Sequence, residues 1–483
     1  MSKTIKNATY YTLGSVLKSA ASFLFLPIFS NALGAEQYGV LNLLQTFSSI
    51  LGVLMTLSTE RSLFRLYYDY KTEEGKTQFL STVFWTISVI SMLMILLILL
   101  TGQYIVHYMG DVDVMHVLFP TIIYTYLLSI VNFGQILMQV EQKGKSFFVV
   151  SVAFLIVYNV SSLLFLYYYS QSVESLVYGQ LLASLLVLPF VYKNIKERIR
   201  FFFSTEMLKN TLKYSIPLFI SITFAWVLHM TDRLFIANLA TMEDAGVYSL
   251  ASKFSQLSIV LVTAIHQSYS PMFYNIANTM PYEQAKNKLM PINKMVTASV
   301  CIICILVAIF TKPVLALLFT EEYKGAMPFV YLLSASCIFT QQCVLFNVMV
   351  YQNKKVKSMS LITILSGFLC VVLNSIFIPI WGAIAAGVVN LVVGLSLFSM
   401  TFYLAKQNYY IPICIPLIMV SIVTLVICST IDLLMNGCFW ELSLKIIILL
   451  LVISGVFAFK IVNIDEVRVI ISRTKETFMK KKQ

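Results

Sequence analysis

NALGAEQYGVLNLLQTFS, residues 31–48, returns as NLATMEDAGVYSLASKFS at residues 238–255, a constant 207 positions later and without a gap. Asn31, Glu36, Gly39, Val40, Leu43, Phe47 and Ser48 meet the same residue types at Asn238, Glu243, Gly246, Val247, Leu250, Phe254 and Ser255. A block that recurs once, near the chain's middle, reads as a duplicated half. Membrane carriers are often built from two related bundles with a substrate site at their interface, so the repeat favours transport over catalysis.

The chain around this repeat is 59% hydrophobic and only 12% charged over 483 residues, with a mean hydropathy of +0.83. Ordinary soluble domains carry roughly a quarter charged residues, so this is an integral membrane protein. A span needs roughly 20 apolar residues. The stretches Thr77–Val106 and Ser146–Val173 contain no Asp, Glu, Lys, Arg or His, and Ser358–Ala405 is long enough for two spans reversed at Pro379, Trp381 and Gly382. The pattern predicts about fourteen helices, with the first at 8–31, the second at 39–62, the seventh at 211–231 and the last two at 411–431 and 443–463.

Each repeat then holds six spans. An even number preserves orientation, so the halves should be related by a pseudo-twofold along the membrane normal. The expected fold is an all-α polytopic membrane protein: a six-helix bundle over 1–195, a second over 196–408, two further helices over 409–464, and a basic tail over 465–483. With the amino terminus inside, the basic segments Lys193–Lys213, Lys354–Lys357 and Lys460–Lys482 all face the cytoplasm, as the positive-inside rule requires. Both termini are therefore expected to be cytoplasmic. The net charge of +12 is explained by these segments, and nucleic acid is not an expected partner. The apolar residues within the basic tail suit contact with anionic lipid.

All eight cysteines lie between Cys301 and Cys438. Cys301 and Cys304 form a CxxC, but without a second pair or histidines it reads as small apolar packing in a helix. Walker A, dinucleotide, HExxH and GxSxG patterns do not occur. No cofactor is expected. The driving force is left to an H+ or Na+ gradient, the membrane potential or removal of product.

Charges at membrane depth are the sharpest functional signal. Lys18 lies about half-way along the first span and Lys253 about eight residues into the eighth. A Lys at a helix centre costs roughly 2.5–3.5 kcal/mol on insertion scales and is tolerated where it faces a wet cavity or a partner. Snorkelling to the nearer interface is the plainer reading. Two cations from opposite halves would suit an anionic, phosphate-linked cargo. Asn42, Gln45, Asn132, Gln135, Gln267, Gln341 and Asn374 are polar at similar depth; each either glues helices together or lines a path. Glu60, Arg61 and Arg65 fall at the inner end of the second span, and Asp232 and Arg233 at the outer end of the seventh, where they read either as gating charges or as ordinary interfacial ones. Pro27 and Pro217 remove helix hydrogen bonds inside spans.

Four segments carry a family resemblance: AEQYGVLNLLQTFSSIL (35–51), TDRLFIANLATMEDAGVYSLASKFSQL (231–257), FTEEYKGAMPFVYLLS (319–334) and LNSIFIPIWGAIAAGVVN (373–390). The chain resembles the polysaccharide biosynthesis flippases, relatives of the lipid II flippases and of the multidrug and toxin extruders. The resemblance implies a flippase that moves undecaprenyl-diphosphate-linked oligosaccharide units from the inner to the outer leaflet of the bacterial cytoplasmic membrane by alternating access. It implies a polysaccharide polymerase and a chain-length regulator as partners, and cavity cations at Lys18, Lys253 and, nearer the end of its span, Arg61.

Two other classes compete. An ion-coupled multidrug or organic-cation antiporter of the same architecture should use buried carboxylates, whereas Asp and Glu are essentially missing from mid-span positions. A polymerase or glycosyltransferase should present a sizeable outer loop with acid/base groups, and the outer segments, such as 102–113, are too short.

Overall fold

The computed structural model describes residues 3–107, 113–353, 355–435 and 439–458. The expected tail at 465–483, the basic residues from Lys460, Lys354 and Cys438 lie outside the described residues. Among the described residues all regular structure is helical: α1 (Lys3–Leu24), α2 (Leu26–Thr56), α3 (Leu63–Leu66), α4 (Glu73–His107), α5 (Phe119–Val140), α6 (Gly144–Tyr168), α7 (Val173–Ile195), α8 (Thr205–Leu239), α9 (Met242–Thr279), α10 (Tyr282–Leu318), α11 (Met327–Gln352), α12 (Val356–Trp381), α13 (Ile384–Lys406), α14 (Ile415–Leu434) and α15 (Phe439–Ala458). Thirteen of these helices are long and apolar enough to cross a membrane, and α1 is not among them.

The expected break between spans one and two shrinks to a single residue. Gly34 adopts φ 72° and ψ 171°, which an L side chain rarely tolerates, and splits α2 into helical stretches 26–33 and 35–56. The first span is thus α1 followed by 26–33, stepping at Phe25 because Pro27 has no N–H to donate. The second span also ends earlier than residue 62. Leu57 and Ser58 turn left-handed at φ 45° and 55°, stop the helix at Thr56, and throw Thr59–Ser62 into a 3-10 turn.

Residues 1–246 and 247–483 form two compact units. In the first, α7 packs between α5 and α6, α1 lies on α6, and α2 lies against α5 and α8. In the second, α11 and α12 pack on α13, and the α14–α15 hairpin lies against α10, with α14 also touching α11. Many buried Thr and Ser hydroxyls donate to carbonyls of their own helices. Along α5 the Thr121, Thr125 and Ser129 hydroxyls donate to the carbonyls of Val117, Thr121 and Thr125, at 2.7, 2.7 and 3.0 Å. Long apolar side chains such as Leu93, Leu96, Leu97 and Leu100 instead stand exposed on α4. A polar-in, apolar-out distribution is what a hydrocarbon surround selects.

Candidate functional site

The turn after α2 is fixed by packing behind it. Leu63 is fully buried in an apolar cluster with Phe79, Val83, Phe133, Leu137 and Val191, which joins α3, α4, α5 and α7. The Ser62 and Thr59 hydroxyls close the turn onto the Thr59 and Thr56 carbonyls at 2.6 and 2.7 Å. Glu60 and Arg61 are thereby held at the wall of two adjoining cavities in the first unit.

One cavity, of about 500 Å³, is lined by Lys18 from α1, Glu60 and Arg61 from the turn, and the amides Asn132, Gln135 and Gln139 from α5. Its neighbour, of about 430 Å³, shares Glu60, Arg61 and Asn132 and adds Gln45, Ser49 and Gln180 among others. Lys18 and Arg61 are the lining cations, and Glu60 is the lining acid. Each cavity falls in the size range of small-molecule sites. Gln135 donates to the Ser151 hydroxyl at 3.2 Å, and the Trp226 indole donates to Ser49 at 2.7 Å, so part of the polar lining is pre-oriented.

Glu60 is 9% exposed and its Oε2 has no hydrogen-bond partner, while Oε1 lies 3.9 Å from Arg61 Nε. Burial pushes its carboxyl above the usual range; its own backbone, the Thr56 hydroxyl and the Arg61 charge act against that rise.

The remaining sequence candidates are placed as follows. Asn42 is buried on α2 with its amide donated to the Tyr38 carbonyl at 2.7 Å, a helix-internal bond that leaves it out of the cavity lining. Arg65 is exposed and pairs with Asp69 at 2.5 Å. Asp232 and Arg233 are corrected from a helix end to the interior of α8, which runs on to Leu239; both are buried, and Arg233 Nη1 donates to Met230 Sδ at 3.0 Å. In the second unit Lys253 is half-buried on α9, Gln267 is exposed on the same helix, and Gln341 and Asn374 are buried on α11 and α12. The Asn374 amide donates to Cys370 Sγ at 3.3 Å.

Asp432 lies in the last turn of α14 and Glu441 in the first turn of α15, each nearly buried and held by lysines. Lys312 reaches Asp432 at 2.9 Å and Glu441 at 2.7 Å; Lys445 reaches Glu441 at 2.7 Å and also contacts Asp432. The Tyr331 hydroxyl donates to Asp432 Oδ2. This four-charge network fastens α14 and α15 to α10 and α11. Sequence reading missed it, although the i,i+4 spacing of Glu441 and Lys445 was a usable signal.

The thirteen long apolar helices and this polar lining define a multi-pass membrane protein. Solved structures of the same architecture include "Lipid II flippase MurJ, inward closed conformation" (TM-score 0.68, 15% identity, covering 93% of this chain and 97% of that one). They also include an inward-facing multidrug resistance MATE family transporter of the MOP superfamily (TM-score 0.64, 16% identity, 80% and 95%). The family described as "Polysaccharide biosynthesis protein" matches residues 29–328, and the chain belongs to that family. A curated relative, "Lsg locus putative protein 1" of Haemophilus influenzae (strain ATCC 51907 / DSM 11121 / KW20 / Rd), is 22% identical over 362 residues, 73% of this chain and 86% of its own length.

Proposed function

We propose that the chain is a flippase carrying undecaprenyl-diphosphate-linked oligosaccharide units from the inner to the outer leaflet of the bacterial cytoplasmic membrane for surface polysaccharide synthesis. The observation that carries this reading is the chemistry of one wall: Lys18 and Arg61 line a cavity whose other polar groups are mostly uncharged amides and hydroxyls. Cations offset the cost of taking a diphosphate out of water, and amides and hydroxyls replace the hydrogen bonds that sugar hydroxyls leave behind. The polyprenyl chain stays in lipid while the halves rock to expose the head group on the other side. Lys253 of the second unit is a further candidate cation.

Membership of a polysaccharide biosynthesis family supports the assignment, as does the likeness to a protein named as a lipid II flippase. The basic segments support cytoplasmic termini. A polymerase and a chain-length regulator are the expected partners, consuming the delivered unit.

The test is deletion of the gene followed by mass spectrometry of extracted lipids. Accumulation of an undecaprenyl-diphosphate oligosaccharide, relieved by the wild-type gene and not by Lys18→Ala with Arg61→Ala, is the expected result. No accumulation, with raised sensitivity to cationic drugs, would move the assignment to the multidrug antiporter.

A further inference from the structure

Several amides of the first unit are spent on the backbone: Asn42, Asn159 and Asn194 each donate to a carbonyl of their own helix, at 2.7, 2.7 and 2.8 Å. Gln45 on α2, Asn132 on α5 and Gln180 on α7 instead line the cavity of about 430 Å³, and their side chains have no hydrogen-bond partner among the described residues. We propose that these three amides form a sugar-reading subsite beside the cationic one, which binds the sugar attached directly to the diphosphate and selects an uncharged one. The inference rests on the flippase reading above and names the part of the cargo that this wall recognises.

An amide left without a partner on a membrane helix is costly unless water or a ligand reaches it. Each primary amide offers two N–H donors and a carbonyl that accepts, and these three come from three different helices. The hydroxyls around them are already engaged. Ser48 and Thr125 share a hydrogen bond of 2.7 Å, and Ser129 donates to the Thr125 carbonyl at 3.0 Å. Ser49 donates to the Thr46 carbonyl at 2.7 Å while accepting from the Trp226 indole. Those bonds fix the wall, and the amides are left to read what lies against it.

The selectivity follows from where the charges lie. Lys18 lines the larger cavity, Glu60 and Arg61 stand on the wall that the two cavities share, and the rest of the smaller cavity's lining is uncharged. A diphosphate seated against Lys18 and Arg61 has the amides within reach of its first sugar. A carboxylate on that sugar would find Arg61 taken by the phosphates and Glu60 beside it, so its charge would leave water without a partner. Hydroxyl and acetamido groups both donate and accept, as the amides facing them do.

The experiment uses the full chain in detergent and three farnesyl diphosphate diesters that share the lipid and the diphosphate charge: the methyl, N-acetylglucosamine and glucuronic acid esters. Wild type should bind the N-acetylglucosamine probe about 10-fold or more tightly than the methyl ester, and the glucuronic acid probe no more tightly than the methyl ester. Gln45→Met and Gln180→Met should each weaken the N-acetylglucosamine probe by about 5- to 10-fold and leave the methyl ester within about 2-fold. Lys18→Ala with Arg61→Ala should weaken all three. Binding of the methyl ester reports that a variant is folded; a variant that loses it together with its melting transition is replaced by Gln45→Asn or Gln180→Asn, which should weaken the sugar probe alone. Equal affinity of wild type for the methyl and N-acetylglucosamine esters overturns the proposal and leaves the flippase reading standing. So does an intact sugar preference in both Gln variants, and so does glucuronic acid binding as tightly as N-acetylglucosamine. Absence of binding of all three esters by wild type overturns the flippase reading together with this one.

Discussion

Gly39 and Gly246, equivalent positions 207 residues apart in the repeat, pack against each other. A Cβ on Gly39 would lie 2.1 Å from the Met242 carbonyl oxygen and 3.0 Å from Gly246 N; a Cβ on Gly246 would lie 1.9 Å from the Ala35 carbonyl oxygen and 3.0 Å from Gly39 N. Ala35 and Met242 are themselves repeat equivalents. The contact is therefore reciprocal. Ala35 and Gly39 are also small residues four positions apart, the spacing that lets membrane helices approach closely.

Because both obstacles are backbone carbonyls, neither side chain can swing away. Gly39→Ala and Gly246→Ala should each destabilise the protein by about 1–3 kcal/mol, the range for overpacking, and by similar amounts because the contact is reciprocal. Gly52→Ala is the control, since its Cβ would meet only Thr125 Cγ2 at an ordinary 3.8 Å. Thermal unfolding in detergent, followed by loss of monodisperse elution, measures all three. Unchanged melting in both Gly39→Ala and Gly246→Ala would remove the close crossing as a stabilising feature.

The charge network of the second unit leads to a different kind of sensitivity. Lys445 is 1% exposed on its side chain and bridges Asp432 and Glu441, which are 8% and 5% exposed. Lys445→Met leaves two buried carboxylates with Lys312 alone, and breaking a buried pair in this way costs roughly 3–5 kcal/mol. Adding Glu441→Gln removes one surplus negative charge, so the double variant should be more stable than Lys445→Met by itself. Melting of the two variants side by side decides it; a double variant weaker than the single one would mean that packing, rather than charge balance, governs the site.

The repeat and the helical class are visible in a linear reading, because one depends on a constant offset and the other on local composition. Arg61 could be numbered but not placed. Its approach to the cavity of Lys18 depends on Leu57 and Ser58 entering the left-handed region and ending α2 at Thr56, with neither glycine nor proline there to announce the stop. Asn42 and Gln45 look alike in the sequence, three positions apart on one helix, yet Gln45 lines a cavity while Asn42 spends its amide on the Tyr38 carbonyl. Only the packing of α2 on α5 separates them. The Lys312 network was hidden for a similar reason, its partners being 120 and 129 residues away.

Glu60 makes stability depend on pH in a direction that can be stated beforehand. Burial raises its carboxyl above the usual range in the folded protein, so the folded state holds the proton more tightly than the unfolded chain. At pH values below the ordinary carboxylate range both states are protonated and the site carries no penalty. As the pH rises past the unfolded value the unfolded chain ionises first, and stability falls until the folded carboxyl has ionised as well. Glu60→Gln keeps the shape and removes the titration. Its melting temperature should match wild type near pH 4 and exceed it by a few degrees near pH 8, the gap opening between those limits. A variant that is instead less stable than wild type at pH 8, with the gap widening as the pH rises, would mean that the ionised carboxylate is a stabilising partner of Arg61, and would reverse the sign of the argument.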